Sequence, residues 1–175
     1  MERLLRFSGY VFVALLAVTG LVMGLGSRLP MEHVATVTAE IAAAPERVWG
    51  LISDVERQPG WRTGLKAVEM TGPGAAGPCW REMQGWMAMP LCVTASEEPG
   101  NGRMGRRVVE VADPKLPFGG EWTYELEPVG IGATRVRITE RGTTGPAMWR
   151  FFGHYVVGED RNVRQYMRDL EGAVR

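Results

Sequence analysis

Hydrophobic and polar positions divide the chain into two unlike stretches. From Phe7 to Leu25 it reads FSGYVFVALLAVTGLVMGL, without one charged side chain. A soluble core helix carries polar residues every third or fourth position, and this run has no such period. At about 1.5 Å per residue it makes a helix of roughly 28 Å, close to the ~30 Å hydrocarbon core of a bilayer. Residues 1–30 therefore read as an N-terminal transmembrane anchor. The competing reading is a cleaved signal peptide, with Arg3 and Arg6 as its charged start and Gly24-Leu25-Gly26 ahead of Ser27 as a small-residue site. The run exceeds the ~7–15 apolar residues of such a peptide and lacks an Ala-x-Ala end, which favours the anchor. Gly20 and Gly24 have the spacing of small-residue helix dimers, a spacing that the glycines of membrane helices also reach without pairing.

From residue 31 onward the pattern shortens. His33–Ile41 alternates, with Ala35, Val37, Ala39 and Ile41 on one face of a strand. Ala44-Pro45-Glu46 starts a helix, since proline suits its first turn and a carboxylate its positive end. Val48, Trp49, Ile52 and Val55 give that helix its stripe, and Gln58-Pro59-Gly60 breaks it just before Trp61. Strands are predicted over residues 65–71, 79–84, 91–97, 106–112, 121–127 and 134–141, separated by Gly/Pro turns. A single long helix is predicted over roughly residues 146–174. The 23 Gly and 11 Pro of 175 residues fit the turns between about seven strands, because an apolar fraction of 45% is too high for a disordered chain.

Two hairpin registers can be specified. A turn over residues 128–134 sets Glu121 across from Arg141, Glu125 from Arg137 and Glu127 from Arg135, a solvated face of opposite charges. The other face then holds Trp122, Tyr124 and Leu126 against Glu140, Ile138 and Val136, so it is buried or lines a cavity. Glu140 is the exception there, a carboxylate whose placement is costly unless it is paired or wet. A turn at Gly85-Trp86 sets Cys79 across from Cys92. In an exported domain the two can form a disulfide; free buried thiols are the alternative.

Twenty basic and 20 acidic side chains give a net charge of zero, which excludes a nucleic-acid binder working by bulk electrostatics. Arg3, Arg6 and Arg28 stand against Glu2 in the first 30 residues, leaving residues 31–175 mildly acidic with 17 basic and 19 acidic groups. Positive charge ahead of the apolar helix favours a cytoplasmic N-terminus, a single pass and an extracytoplasmic domain. His33 and His154 have no neighbouring ligand set, so no metal or other cofactor is expected. None of the four serines has a Gly-x-Ser-x-Gly setting, and Gly130-x-Gly132 lies in a hairpin turn rather than at a nucleotide site. Acid–base chemistry is left to Glu140, Glu159 and Tyr124; Glu159 falls near the apolar stripe of the last helix. Either glutamate also fits an ordinary surface or ion-paired position. Trp80, Trp122, Tyr124, Met148, Phe152, Tyr155 and Tyr166 form a set of large adaptable side chains suited to an apolar ligand, joined by Met83, Met87, Met89 and Met104. Any one of them alone is better explained by core packing, and only the set points to a cavity.

Three motifs sit on this element order. They are Ala43-Ala44-Pro45-Glu46-Arg47-Val48-Trp49 with Ser53-Asp54-Val55 and Pro59-Gly60-Trp61, the run Asp113–Pro128, and Thr134–Glu140 ahead of the last helix. In these residues the chain resembles the START/pollen-allergen superfamily (SRPBCC, polyketide cyclase and lipid-transport-like proteins) over roughly residues 33–172. The resemblance implies an α+β helix-grip fold for residues 31–175, a curved antiparallel sheet of about seven strands wrapped around a long C-terminal helix. It further implies a cavity between them for a hydrophobic ligand. The apolar start is outside that family's domain pattern. The expected function is membrane-anchored binding or transport of a hydrophobic small molecule, a lipid, quinone or aromatic polyketide-like compound. The alternatives are a cofactor-free polyketide cyclase/aromatase-type enzyme using the cavity acids, or an interaction module whose cavity is filled by side chains.

Overall fold

The uncharged N-terminal run forms one helix, α1 (Glu2–Arg28). In the computed structural model, residues 2–85 and 87–175 are described, with side chains from residue 7 onward. The side chains of Arg3 and Arg6, on which the orientation reading rests, and Trp86 of the predicted turn lie outside the described residues. Along α1, Phe7, Tyr10, Phe12, Leu15, Leu16 and Leu21 all stand exposed. Phe7–Arg28 is long and apolar enough to cross a bilayer, a property that signal sequences share. Gly20 and Gly24 face open space, whereas a side chain at Gly26 would collide with the backbone of Ala147.

Alternating residues then build seven strands: β1 (Glu32–Ile41), β2 (Leu65–Pro73), β3 (Pro78–Gln84), β4 (Met87–Glu97), β5 (Gly105–Val111), β6 (Phe118–Pro128) and β7 (Thr134–Thr144). They form one antiparallel sheet in the order β1-β7-β6-β5-β4-β3-β2, a meander closed by β1 against its last strand. Between β1 and β2 come α2 (Pro45–Ser53) and a 3₁₀ turn (Val55–Gly60), where the chain breaks before Trp61 as the sequence predicts.

The β6–β7 register is the predicted one, with Glu121 opposite Arg141, Trp122 opposite Glu140 and Glu127 opposite Arg135. Its outer face carries charge: Arg135 bridges Glu127 and Glu40, each at 2.9 Å. Its inner face buries Leu126, Val136 and Ile138 with Val48 and Ile52 of α2 and Val163 and Leu170 of the last helix. The result is an α+β helix-grip fold, with the curved sheet holding the C-terminal helix on its inner face.

The C-terminal helix is not continuous. Residues 146–174 divide into α3 (Ala147–Phe152), a π-helical turn (Gly153–Val157) and α4 (Arg161–Val174). Gly158 separates them at φ +86°, a left-handed conformation that a helix cannot accommodate and that glycine adopts freely. Only α4 lies in the grip, through Val163, Tyr166, Met167 and Leu170.

Cys79 and Cys92 pair across β3 and β4, with Cα atoms 4.1 Å apart, and are joined as a disulfide. Unreduced protein is therefore expected to be lighter by two hydrogens than reduced protein and to contain no free thiol. Replacing both cysteines by alanine should lower unfolding stability by about 2–4 kcal/mol, measured by urea titration. Two reactive thiols in unreduced protein would overturn the pairing.

Candidate functional site

Sheet and α4 do not close completely on one another. Between them lies a cavity of about 470 Å³, walled by Trp80, Met89, Leu91, Val109, Trp122 and Ile138 from the strands and by Val163 and Tyr166 from α4. Such a volume is in the range of small-molecule sites.

Its polar floor is built around a buried ion pair. Trp80, Glu82 and Gln84 are alternate residues of β3, so all three point to the inner face. Glu82 is only 2% exposed, and it receives Arg62 in a fork: Nη1 to Oε1 at 2.5 Å and Nη2 to Oε2 at 3.1 Å. Trp80 Nε1 and Gln84 Nε2 donate to the same carboxylate at 3.3 and 2.8 Å. Arg62 also donates to Gln58 Oε1 at 2.7 Å, and Gln58 donates to the Ile52 carbonyl at 2.9 Å. The guanidinium lies 5.0 Å from the centre of the Tyr166 ring, which packs against Tyr124 with centroids 5.3 Å apart and the rings tilted by 50°. Asp169 on α4 completes the clamp, accepting from the Thr63 amide and hydroxyl at 2.7 and 2.9 Å.

Burial works against the Arg62 cation, but Glu82 and the tyrosines outweigh it and hold its pKa above the ordinary arginine value. Burial pushes the Tyr166 phenol up to about 12 and raises Tyr124 well above its ordinary value. Both phenols therefore keep their protons at neutral pH and can donate to a ligand. Arg107 on β5 faces Tyr124 from the neighbouring strand; burial lowers its pKa, and its Nε and Nη2 have no partner among the described residues.

A second polar point lies on the same wall. Glu140 is 6% exposed, with His33 Nε2 3.7 Å from its Oε1, while Oε2 has no hydrogen-bond partner among the described residues. Burial raises its pKa above the ordinary carboxylate range, and His33 beside it opposes that shift.

Of the residues singled out in the sequence, Trp80, Trp122, Tyr124, Tyr166, Glu140 and Glu159 line the cavity. Glu159 does so from the turn before α4 rather than from a helical stripe, half-exposed and 3.0 Å from His154 Nδ1. Met148, Phe152 and Tyr155 are a correction: the break at Gly158 turns α3 so that they face outward, exposed, while Trp149, Gly153 and Val157 face the cavity. Met87 and Met89 also line it, whereas Met104 is exposed. Arg62, Glu82, Gln58, Arg107 and His33 were not singled out as site residues. For Glu82 the signal is its position two residues after Trp80 on an alternating strand. No group of three His, Cys, Asp or Glu residues converges on a metal position among the described residues.

Removing Arg62 alone leaves the Glu82 carboxylate uncompensated in the core. Arg62→Ala is expected to cost about 3–5 kcal/mol in urea unfolding, and the paired replacement Arg62→Met with Glu82→Leu distinctly less. A loss below about 1 kcal/mol for the single variant, the scale of a surface pair, would show that the pair does not constrain the fold.

The profile of the family described as polyketide cyclase/dehydrase and lipid transport matches residues 32–174. No curated protein sequence matches the chain significantly. Among solved structures, a START superfamily protein from Mycobacterium smegmatis superposes with a TM-score of 0.59 at 19% identity, covering 81% of this chain and 97% of that one. The Zhui aromatase/cyclase from a Streptomyces species gives 0.60 at 16% identity, covering 82% and 93%. Norcoclaurine synthase from Thalictrum flavum, in complex with dopamine and hydroxybenzaldehyde, gives 0.59 at 13% identity, covering 82% and 86%. At these identities the shared property is the fold. The profile match runs from the start of the sheet to the end of α4, and the chain belongs to the polyketide cyclase/dehydrase and lipid-transport family.

Proposed function

We propose that this chain binds a hydrophobic small molecule, a lipid, quinone or aromatic polyketide-like compound, in the cavity between sheet and α4, and that α1 holds the cavity at a membrane. The observation that carries this reading is the cavity itself: about 470 Å³, with wall residues of Trp, Met, Leu, Ile and Val and a few fixed polar groups around Arg62–Glu82 and Glu140. That division suits a ligand with a large apolar body and one polar end. Norcoclaurine synthase, with dopamine and hydroxybenzaldehyde in its complex, supports an aromatic compound as one form of the ligand. The Cys79–Cys92 disulfide supports an oxidising compartment for residues 31–175, consistent with a cytoplasmic N-terminus and an extracytoplasmic domain.

A second reading, a cyclase/aromatase-type enzyme, is favoured by Glu140. A buried carboxyl on the cavity wall, shifted toward its neutral form, is suited to general acid–base work.

A photoactivatable apolar probe, adamantyl diazirine, tests the binding reading on the full chain in lipid nanodiscs. Adducts are expected on cavity residues such as Met89, Trp122 and Tyr166. Val109→Phe, which fills the wall from β5, should reduce them by about tenfold, the equivalent of some 1.4 kcal/mol in affinity. Labelling confined to α1 would contradict the reading. Turnover of a poly-β-ketone substrate that is lost in Glu140→Gln, with labelling retained, would favour the enzyme.

A further inference from the structure

α3 and the π-helical turn after it expose an apolar face that neither the sheet nor α4 covers. Met148 and Phe152 are each 45% exposed, Tyr155 56% and Val156 65%. Over residues 147–157 the charge-bearing side chains are Arg150 and His154, and both are tied down. Arg150 turns inward, donating to the carbonyls of Gly26 at 3.0 Å, Thr144 at 3.3 Å and Gly145 at 2.5 Å. His154 is held by Glu159. The outward residues Met148, Phe152, Tyr155 and Val156 are themselves uncharged, and the neighbouring charged groups, His154 and Glu159, are paired with each other.

Its position is fixed by α1. Partial or full burial recurs at Val22, Leu25 and Gly26 of that helix and at Leu29 just past its end, a spacing that keeps one side. Gly26 lies against the backbone of Ala147 and Cβ of Phe151, an approach that any side chain there would prevent. α3 thus packs on the last two turns of the apolar helix, about 10 Å of its rise. Interfacial helices bury their apolar faces to about 5–10 Å, into the headgroup and acyl boundary, which is the same scale. The junction is also the rim of the cavity: Leu29, Pro30 and Met31 line it from one side, Trp149, Gly153 and Val157 from the other.

We propose that the outward face of residues 147–157 inserts into the headgroup and acyl boundary of the bilayer beside α1, so that the cavity opens toward lipid and its ligand enters from the membrane rather than from water. This rests on the reading of Phe7–Arg28 as a membrane span. The occupant of the face is lipid because the face is sterically continuous with the apolar helix, its own residues are uncharged, and it presents the amphipathic ring of Tyr155, a ring type that settles at bilayer interfaces.

Spin labels on the full chain in nanodiscs of phosphatidylethanolamine and phosphatidylglycerol test this. Single labels are placed through Phe152→Cys and Val156→Cys on the face, Leu15→Cys in α1 and Thr38→Cys on the outer side of β1. These four positions are exposed, so folding should be retained, and circular dichroism checks it. The expected result is a loss of collision with a water-soluble nickel complex and a gain with oxygen at positions 152 and 156, as at 15, with position 38 aqueous. If 15 is shielded while 152 and 156 collide with nickel as freely as 38, the insertion is overturned and the anchor stands. If 15 is also aqueous, both fail. Dipolar broadening at 152 or 156 would show a second copy of the chain covering the face and would overturn insertion as well.

Discussion

A charged pair set into the floor of the cavity between sheet and helix limits what the rest of the core can do. Arg62 and Glu82 are joined by two hydrogen bonds, and the carboxylate takes two more from Trp80 and Gln84. A buried carboxylate without its partner is a cost of several kcal/mol, so each group must be delivered to the other. Arg62 comes from the segment after the 3₁₀ turn, Glu82 from β3, and the ring beneath the guanidinium from α4. One interaction therefore ties the loop, one end of the sheet and the gripped helix together. It also gives the cavity a fixed polar cluster among apolar walls on which Glu140 is a second polar point, and that division is the basis for expecting a ligand with an apolar body and a polar end.

The opposite end of the cavity depends on a different contact, Gly26 against Ala147. Here the absence of a side chain lets α3 rest on α1, and Arg150 secures the approach through three backbone carbonyls. The two halves read separately in the sequence, an apolar helix and a ligand-binding fold, meet at this point. The family profile begins at residue 32, so it covers the second of these and not α1.

Much of the architecture was legible because its determinants are local. Alternation located the strands, and opposite charges fixed β6 against β7 residue by residue, which in turn placed Trp122, Tyr124 and Glu140 on the inner face. Cys79 and Cys92 followed from the same kind of register. After Pro146 the hydrophobic spacing stays helical through Gly153 and Gly158 and so predicts one continuous helix, whereas the positive φ at Gly158 breaks the phase. Met148, Phe152 and Tyr155 therefore lie on the exposed face rather than in the cavity. Glu82 shares the period of Trp80 and was recoverable. Arg62 was not, since its role depends on a partner 20 residues away across an irregular segment.

The central claim is that the space between sheet and α4 is a binding site for one apolar molecule. Native mass spectrometry of the full chain, purified in mild detergent, tests it most directly. The account predicts a complex of one chain with one small apolar molecule, released intact on collisional activation and lost in Val109→Phe. A bare chain under conditions that preserve other lipid adducts, with the same mass for the parent and the variant, would contradict it.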